Sequence, residues 1–352
     1  MSTNTVIMVT GVGSGVAQSI IKALRLANRD HQRHYIILGT DAGWKAAGLY
    51  AVDRAFLVPR CSDEPAYLDR LVEICRDNKV DFLIPGTDPE VDALKGLKPQ
   101  IEALTGVHVL LNPPETIDIG YDKFKTTEFL KKHGFPYPET VPLNSADITS
   151  LAQIDYPFIV KPRYGSGSVG LALIKDKKML ENHLASQADE MIAQEYINAP
   201  ENEYTCGLAF GKEGQLLSTI ILQRDLKKGF TQFARVTRQD EVQRQITAIA
   251  GVLEGRGAYN VQGQLTGKGF VVFEINPRFS GTTAFRAVAG QNEPDIYIQH
   301  FLKGEVPSTE INTSLCMSRY LNEYYFDTAT ADNLKQKKQL TTAGNGYPIN
   351  YF

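Results

Sequence analysis

"PFIVKPRYGSGSVG", residues 157–170, joins an apolar run carrying Lys161 to a loop with glycines at 165, 167 and 170. The run reads as a β-strand, and a glycine-rich loop behind it can turn several backbone N–H groups toward one anion while the strand lysine adds charge. Lys161, Gly165, Ser166, Gly167 and Gly170 therefore read as a phosphate cradle. A Walker A loop, GxxxxGK[ST], would need lysine where Leu171 stands, so that motif is excluded. Taken alone, the stretch also fits a flexible glycine hairpin, and the rest of the chain has to decide.

A second cluster, "VVFEINPRFSGTT" (271–283), narrows the choice. An apolar run ends in Glu274, and alternation along a strand puts Asn276 on the same face. Upstream, "NVQG" places Gln262 on what should be the neighbouring antiparallel strand, with a turn near "TGKG" (266–269), so that Gln262 faces Glu274 across the hairpin. Hard oxygen donors at a strand end suit Mg²⁺ shared with phosphates. Arg278 follows closely and can offset the charge of a phosphoryl group. Alone, Glu274 has a second, weaker reading as an ordinary strand-end charge.

The first hundred residues alternate strands and helices. "TVIMVTG", "YIILGTD", "RAFLVP", "VDFLIPGTD" and "HVLLNPP" read as strands, and "VAQSIIKALRLA" and "AYLDRLVEICRDN" as helices, which predicts a doubly wound parallel sheet to about residue 112. The turn "GVGSG" resembles a dinucleotide fingerprint but fails its spacing, since Val16 or Gln18 stands where the third glycine belongs. Asp41 could in principle hold a ribose, yet acids commonly end strands in such sheets. The turn is expected to be a plain βα connection able to touch a small substrate. It should share the sheet's carboxyl edge with the "PGTDPE" corner, which makes Gly13, Ser14, Thr87, Asp88 and Glu90 candidate substrate residues. Arg224, Arg235 and Arg286 are further substrate candidates, although lone arginines often form surface ion pairs. Beyond Pro113 and Pro114 the pattern becomes α+β. Residues 311–352 read as an aromatic strand followed by a solvated tail, with no site expected there.

In order along the chain, "YDKFKT" with Lys123, "IVKPRYGSGSVG" with Lys161, "AQEYI" with Glu195, "ENEYTCG" with Glu203, "NVQG" with Gln262 and "FEINPRFSG" with Glu274, Asn276 and Arg278 resemble the ATP-grasp superfamily. The set looks closest to a single synthetase unit of the carbamoyl-phosphate synthetase large subunit, over roughly residues 5–305. The resemblance implies a pre-ATP-grasp domain at 1–112, a linker helix and lid at 113–197 (the lid about 157–197), a C-terminal catalytic subdomain at 198–310, and a strand and tail at 311–352. It also implies that Lys123 and Lys161 contact the phosphates or adenine of ATP, with the loop 165–170 closing over the phosphates. The backbone of Glu195, Tyr196 and Ile197 would hold adenine, and Glu203 the ribose. Gln262, Glu274 and Asn276 would coordinate Mg²⁺, two ions or Mn²⁺ in their place, and Arg278 would face the γ-phosphate.

Such an enzyme activates a carboxylate as an acyl phosphate and joins it to an amine, releasing ADP and phosphate. A carboxylase, a carboxylate kinase, and a non-catalytic nucleotide-binding or Rossmann-type redox protein are the alternatives. Carbamoyl-phosphate synthesis itself is not expected, because this chain carries one synthetase unit where that enzyme has two. No GxSxG elbow or Cys–His pair suggests a protein nucleophile. In 352 residues, 37 basic and 40 acidic side chains leave a net charge of −3, so no basic excess exists to bind nucleic acid. Cys61, Cys75, Cys206 and Cys316 are scattered without a CxxC pair, which excludes a zinc ribbon and fits a reducing compartment. No signal peptide or membrane span is read, and a cytoplasmic protein acting on small molecules is expected, with its oligomeric state left open between a homodimer and other forms.

Overall fold

The computed structural model describes residues 4–143, 151, 154–165, 167, 169–184, 190–227, 229–307, 310–341 and 346–348. The chain begins with β1 (Thr5–Val9), α1 (Gly15–Asp30), β2 (Tyr35–Asp41), β3 (Arg54–Leu57), α2 (Glu64–Asn78), β4 (Phe82–Ile84), α3 (Asp88–Thr105) and β5 (His108–Val109). These strands are parallel and lie in the order β3-β2-β1-β4-β5. Ile20, Ile21, Leu24 and Ala27 form one stripe of α1 and cover one face of the sheet, while α2 and α3 cover the other with Leu68, Leu71, Leu94 and Ile101. In such a sheet the crevice opens where strand order reverses, here between β1 and β4. The two loops above that point are tied together, because Ser14 caps α1 through Ala17 N and its Oγ donates to Gly86 O at 2.8 Å.

Next come α4 (Pro114–Tyr121), α5 (Lys123–Lys132), β6 (Thr140–Leu143), β7 (Phe158–Pro162), β8 (Ala172–Ile174), α6 (Lys177–Leu184) and β9 (Met191–Glu195). The four strands form a small antiparallel sheet, β6-β9-β7-β8, over a separate apolar cluster that includes Val160, Ile174 and Leu180. The body follows, with β10 (Glu203–Phe210), β11 (Leu216–Lys227), β12 (Phe230–Val236), α7 (Asp240–Val252), β13 (Ala258–Thr266), β14 (Gly269–Asn276), α8 (Thr283–Val288), α9 (Glu293–Lys303) and β15 (Cys316–Ser318). Its six antiparallel strands run β14-β13-β10-β11-β12-β15, and α7 packs Val242, Ile246 and Ile249 against them. Expected α/β and α+β units are both present.

The end of the chain departs from the solvated tail expected of it. After β16 (Tyr324–Phe326), α10 (Thr328–Lys337) leads into β17 (Gln339–Thr341), which pairs antiparallel with β3 and covers the exposed edge of the first sheet. A final strand, β18 (Gly346–Pro348), pairs with β16. Helix α10 is polar apart from a few positions, and its order comes from burying Ala331 and Leu334 against the N-terminal domain.

Candidate active site

A cleft of about 690 Å³ lies where the three units meet. It gathers residues read from stretches far apart in sequence: Gly13, Ser14, Thr87, Asp88, Lys123, Lys161, Gly165, Gly167, Glu195, Tyr196, Ile197, Glu203, Arg224, Gln262, Glu274, Asn276 and Arg278. Gly170 lies just behind this wall at φ 72°, against Pro162. Ser166 lies outside the described residues.

Strand β7 carries Lys161 into the cleft. Its Nζ donates to Gln194 Oε1 at 2.8 Å, and Gln194 Nε2 donates to Thr140 Oγ1 at 2.9 Å, so three strands of the small sheet fix the ammonium. Burial pushes that ammonium down to about 8, with the charge of Glu274 opposing the shift. Lys123 opens α5, whose first turn is capped by Asp122, and its Nζ donates to the carbonyl of Gly165. Burial lowers the Lys123 ammonium too. Gly165 and Gly167 sit at φ 101° and 75°, where other residues are strained, so the loop needs glycine for its shape. Arg163 clamps Asp122 with bonds of 2.9 and 2.7 Å and thereby locks β7 to the start of α5.

The hairpin β13–β14 has the register expected from alternation, with Gln262 opposite Glu274 and Asn260 opposite Asn276. The Glu274 carboxylate has no hydrogen-bond partner among the described residues, while Lys123, Lys161 and Arg278 all feel its charge. Gln262 Oε1 accepts from Arg224, and Asn276 Oδ1 accepts from Arg278 at 3.1 Å. One carboxylate and two amide oxygens are hard donors, and the set fits a Mg²⁺ ion that takes its remaining oxygens from phosphate and water. Among the described residues no group of three His, Cys, Asp or Glu side chains could hold a metal, which excludes a self-sufficient transition-metal cage there.

Glu203 is oriented on two sides, accepting from Arg224 Nε at 3.0 Å and Gln264 Nε2 at 3.1 Å. The backbone N–H of Glu195 donates to Glu139 O at 2.7 Å, and its carboxylate pairs with Lys268 at 2.7 Å, which anchors the segment leading to Tyr196 and Ile197. Arg278 forms a two-point ion pair with Asp88, its Nη2 donating at 2.9 Å, and so ties the six-stranded body to the N-terminal domain across the cleft wall.

Three substrate candidates belong elsewhere. Arg286 is wholly buried in the core, bound to Glu293, Asn260 and Ser280. Arg235 is exposed and donates to Gln223, away from the cleft wall. Glu90 lies beneath that wall, accepting from Thr87 Oγ1 at 2.8 Å and Tyr67 at 3.1 Å, and burial pushes its carboxyl up to about 7. Asp41 is likewise engaged, accepting from the backbone N–H groups of Gly13 and Gly43 at 2.8 Å each. Among the residues missed by sequence reasoning are Gln194, Thr205, Gln264, Leu226, Phe230, Thr231 and Arg319, all lining the cleft. Alternation from Glu203 would have reached Thr205, and from Gln262 Gln264. Arg319 stood in a stretch from which no site was expected.

Residues 121–282 match the family described as ATP-grasp domain, and residues 7–110 match the PylC-like N-terminal domain. The chain is 25% identical over 246 residues to a carbamoyl-phosphate synthase of Methanobrevibacter smithii, covering 68% of this chain and 63% of that protein. It is 28% identical over 209 residues to carnosine synthase 1 of Mus musculus, covering 48% of this chain and 25% of that protein. The chain thus spans less than two thirds of the length of these relatives. Its fold is similar to that of N5-carboxyaminoimidazole synthetase from Staphylococcus aureus complexed with ADP, with a TM-score of 0.71 at 18% identity, covering 96% of this chain and 86% of that one. Among the described residues no helix is long and apolar enough to cross a membrane.

Proposed function

We infer, for a chain whose residues 121–282 match the ATP-grasp domain, that it uses ATP to activate a substrate carboxylate and joins the acyl group to an amine. The observation that carries this reading is the Glu274 carboxylate, without a hydrogen-bond partner among the described residues and set in one cleft with Lys123, Lys161 and Arg278. Lys123 and Lys161 form no ion pair among the described residues, and with Arg278 they outnumber Glu274 and Asp88 by one positive charge, which suits a polyphosphate arriving with its counter-ion.

In this reading the backbone of Glu195–Ile197 holds adenine, and the oriented Glu203 accepts from the ribose hydroxyls. Lys161 and Lys123 face the phosphates, and Gly165, Gly167 and Gly170 close over them. Mg²⁺, as two ions or with Mn²⁺ in their place, bound by Glu274, Asn276 and Gln262, supplies Lewis-acid neutralisation of phosphate charge. A carboxylate oxygen of the substrate attacks the γ-phosphorus and the bond to ADP breaks. Amine attack on the resulting acyl phosphate then forms the amide and expels phosphate. Arg278, held by Asp88, faces the transferring group, so that catalysis rests on positioning and charge and needs no protein nucleophile. The small sheet and its glycine loop act as the lid that keeps water from the acyl phosphate.

Incubation with Mg²⁺-ATP and pools of carboxylic acids and amines, followed by measurement of ADP, phosphate and product mass, tests the reading. ADP release that needs both an acid and an amine, with a product lighter than their sum by one water, is expected. Tight NADH binding without ATP affinity would overturn it, and a product needing no amine would make the protein a carboxylate kinase or carboxylase.

A further inference from the structure

The cations of the cleft are not all alike. Arg224 pairs with Glu203, Arg278 pairs with Asp88, and Lys123 and Lys161 share the field of Glu274. Arg319 has no acidic partner among the described residues. Its Nη2 donates to the carbonyl of Gly281 at 2.7 Å, and burial pulls its guanidinium below the ordinary value. The group is built in place, because the Arg319 backbone exchanges hydrogen bonds with Gln232 on β12, its N–H donating to Gln232 O at 2.8 Å. Around it stand the hydroxyls of Ser280 and Thr282 and the start of α1, which has no acid in its first turn. Lys22 adds a second positive charge nearby. A guanidinium kept partly out of water beside donors and other cations lacks a counter-charge that a ligand would bring.

One step along β12 from Gln232 the cleft wall changes character. Thr231 is buried, but Phe230 is 59% exposed, and Leu226 across the hairpin is 42% exposed. Both line the cleft, as do the exposed Tyr164, Val169 and Leu171 on the lid side. Apolar side chains left in water inside a concave site are where an apolar ligand surface gains most from burial.

We propose that this end of the cleft is the substrate subsite, in which Arg319 binds a carboxylate and Leu226 and Phe230 cover the apolar body that bears it. Resting on the ligase reading, this assigns the substrate class: acids with branched or aromatic bodies are accepted, and short polar acids are not. Arg319 and Phe230 determine specificity and take no part in binding ATP. A phosphate monoester presents the same kind of anion, so the test compares the two sources directly.

ADP release is measured against branched or aromatic carboxylates, short polar carboxylates and alkyl phosphates, each with the amine pool, in wild type, Arg319→Gln, Arg319→Lys and Phe230→Ser. Calorimetric titration of the same acids and of ATP gives binding without turnover. Loss of the charge-assisted contact in Arg319→Gln should raise the acid KM about 30-fold and leave ATP affinity within about twofold. Arg319→Lys should recover part of that loss, and Phe230→Ser should raise KM about tenfold for apolar acids alone. Unchanged acid KM in Arg319→Gln, or equal weakening of acid and ATP, would overturn the subsite. Preference for alkyl phosphates or for short polar acids would overturn the proposed occupant. Acid binding that depends on Arg319 without any ADP release would support the subsite and break the ligase reading instead.

Discussion

Arg278 and Arg286 stand eight residues apart in one stretch of sequence, and the fold gives them opposite surroundings. Arg286 is sealed in the core, where the Glu293 carboxylate and the oxygens of Asn260 and Ser280 take up the donors of its two Nη atoms. Arg278 reaches from the six-stranded body to Asp88 in the wall of the cleft, next to a carboxylate, Glu274, that has no hydrogen-bond partner among the described residues. The difference separates charge that organises the fold from charge kept for something outside it. A buried ion is tolerated only when its partners are in place, so the closed network belongs to stability. Beside the Arg278–Asp88 pair, Lys123 and Lys161 have no ion-pair partner and Glu274 no hydrogen-bond partner among the described residues, an arrangement the fold itself does not require.

Breaking the closed network should have the largest effect. Arg286→Met leaves Glu293 buried without its partner, which costs about 3–5 kcal/mol by the measured behaviour of broken buried pairs. Urea unfolding should show the loss as a lower midpoint, and the double variant Arg286→Met, Glu293→Leu should recover part of it. If the single variant kept wild-type stability, the division between the two arginines would fail.

The complementary substitution is Glu274→Gln, which removes charge from the open cluster. Activity should fall by roughly 100-fold or more, the scale seen when a preorganised charge-stabilising group is lost. Stability should move by less than about 1 kcal/mol, because no hydrogen bond is broken. Steady-state ADP release and a thermal melt check the two halves separately. A large drop in melting temperature would return Glu274 to the structural class.

Much of this contrast was legible in the sequence, and its limits have physical causes. Alternation of period two is local, so the facing of Gln262 and Glu274 and the carriage of Lys161 on a strand could be read directly. The alternation of strands and helices likewise placed Ser14 and Thr87 on one edge of the first sheet, where Ser14 now bonds Gly86. Partner choice across long separations has no such local signature. Nothing near Arg286 announces Glu293 as its buried counter-ion, and nothing near Arg278 announces Asp88. Arg319 escaped for the same reason, since its place in the cleft depends on pairing with Gln232, and the polar α10 escaped because only Ala331 and Leu334 are buried by its packing. Glu90 and Asp41 sat in the right loops but were turned to hold them, one beneath Thr87 and the other on the N–H of Gly13.

The smallest expected effect is a pH dependence, and it tests whether the lysines of the open cluster really wait for an anion. Burial holds the Lys161 ammonium at about 8, well below its ordinary value of 10.5. Phosphate binding needs the protonated form, so ATP affinity should be flat below pH 7 and weaken by up to about tenfold per unit above 8, as linkage requires. Stability moves the other way. Between pH 8 and 10.5 the unfolded chain holds the Lys161 proton more firmly than the folded one, so this group makes the ligand-free protein more stable as pH rises through that window. Lys123, lowered by the same burial, acts in the same direction. Weaker ATP binding at constant or rising stability therefore cannot be attributed to unfolding. Lys161→Arg, which stays charged throughout, should flatten its share of the affinity profile. An affinity that holds steady from pH 7 to 9.5 in the wild type would place the Lys161 charge outside the nucleotide site.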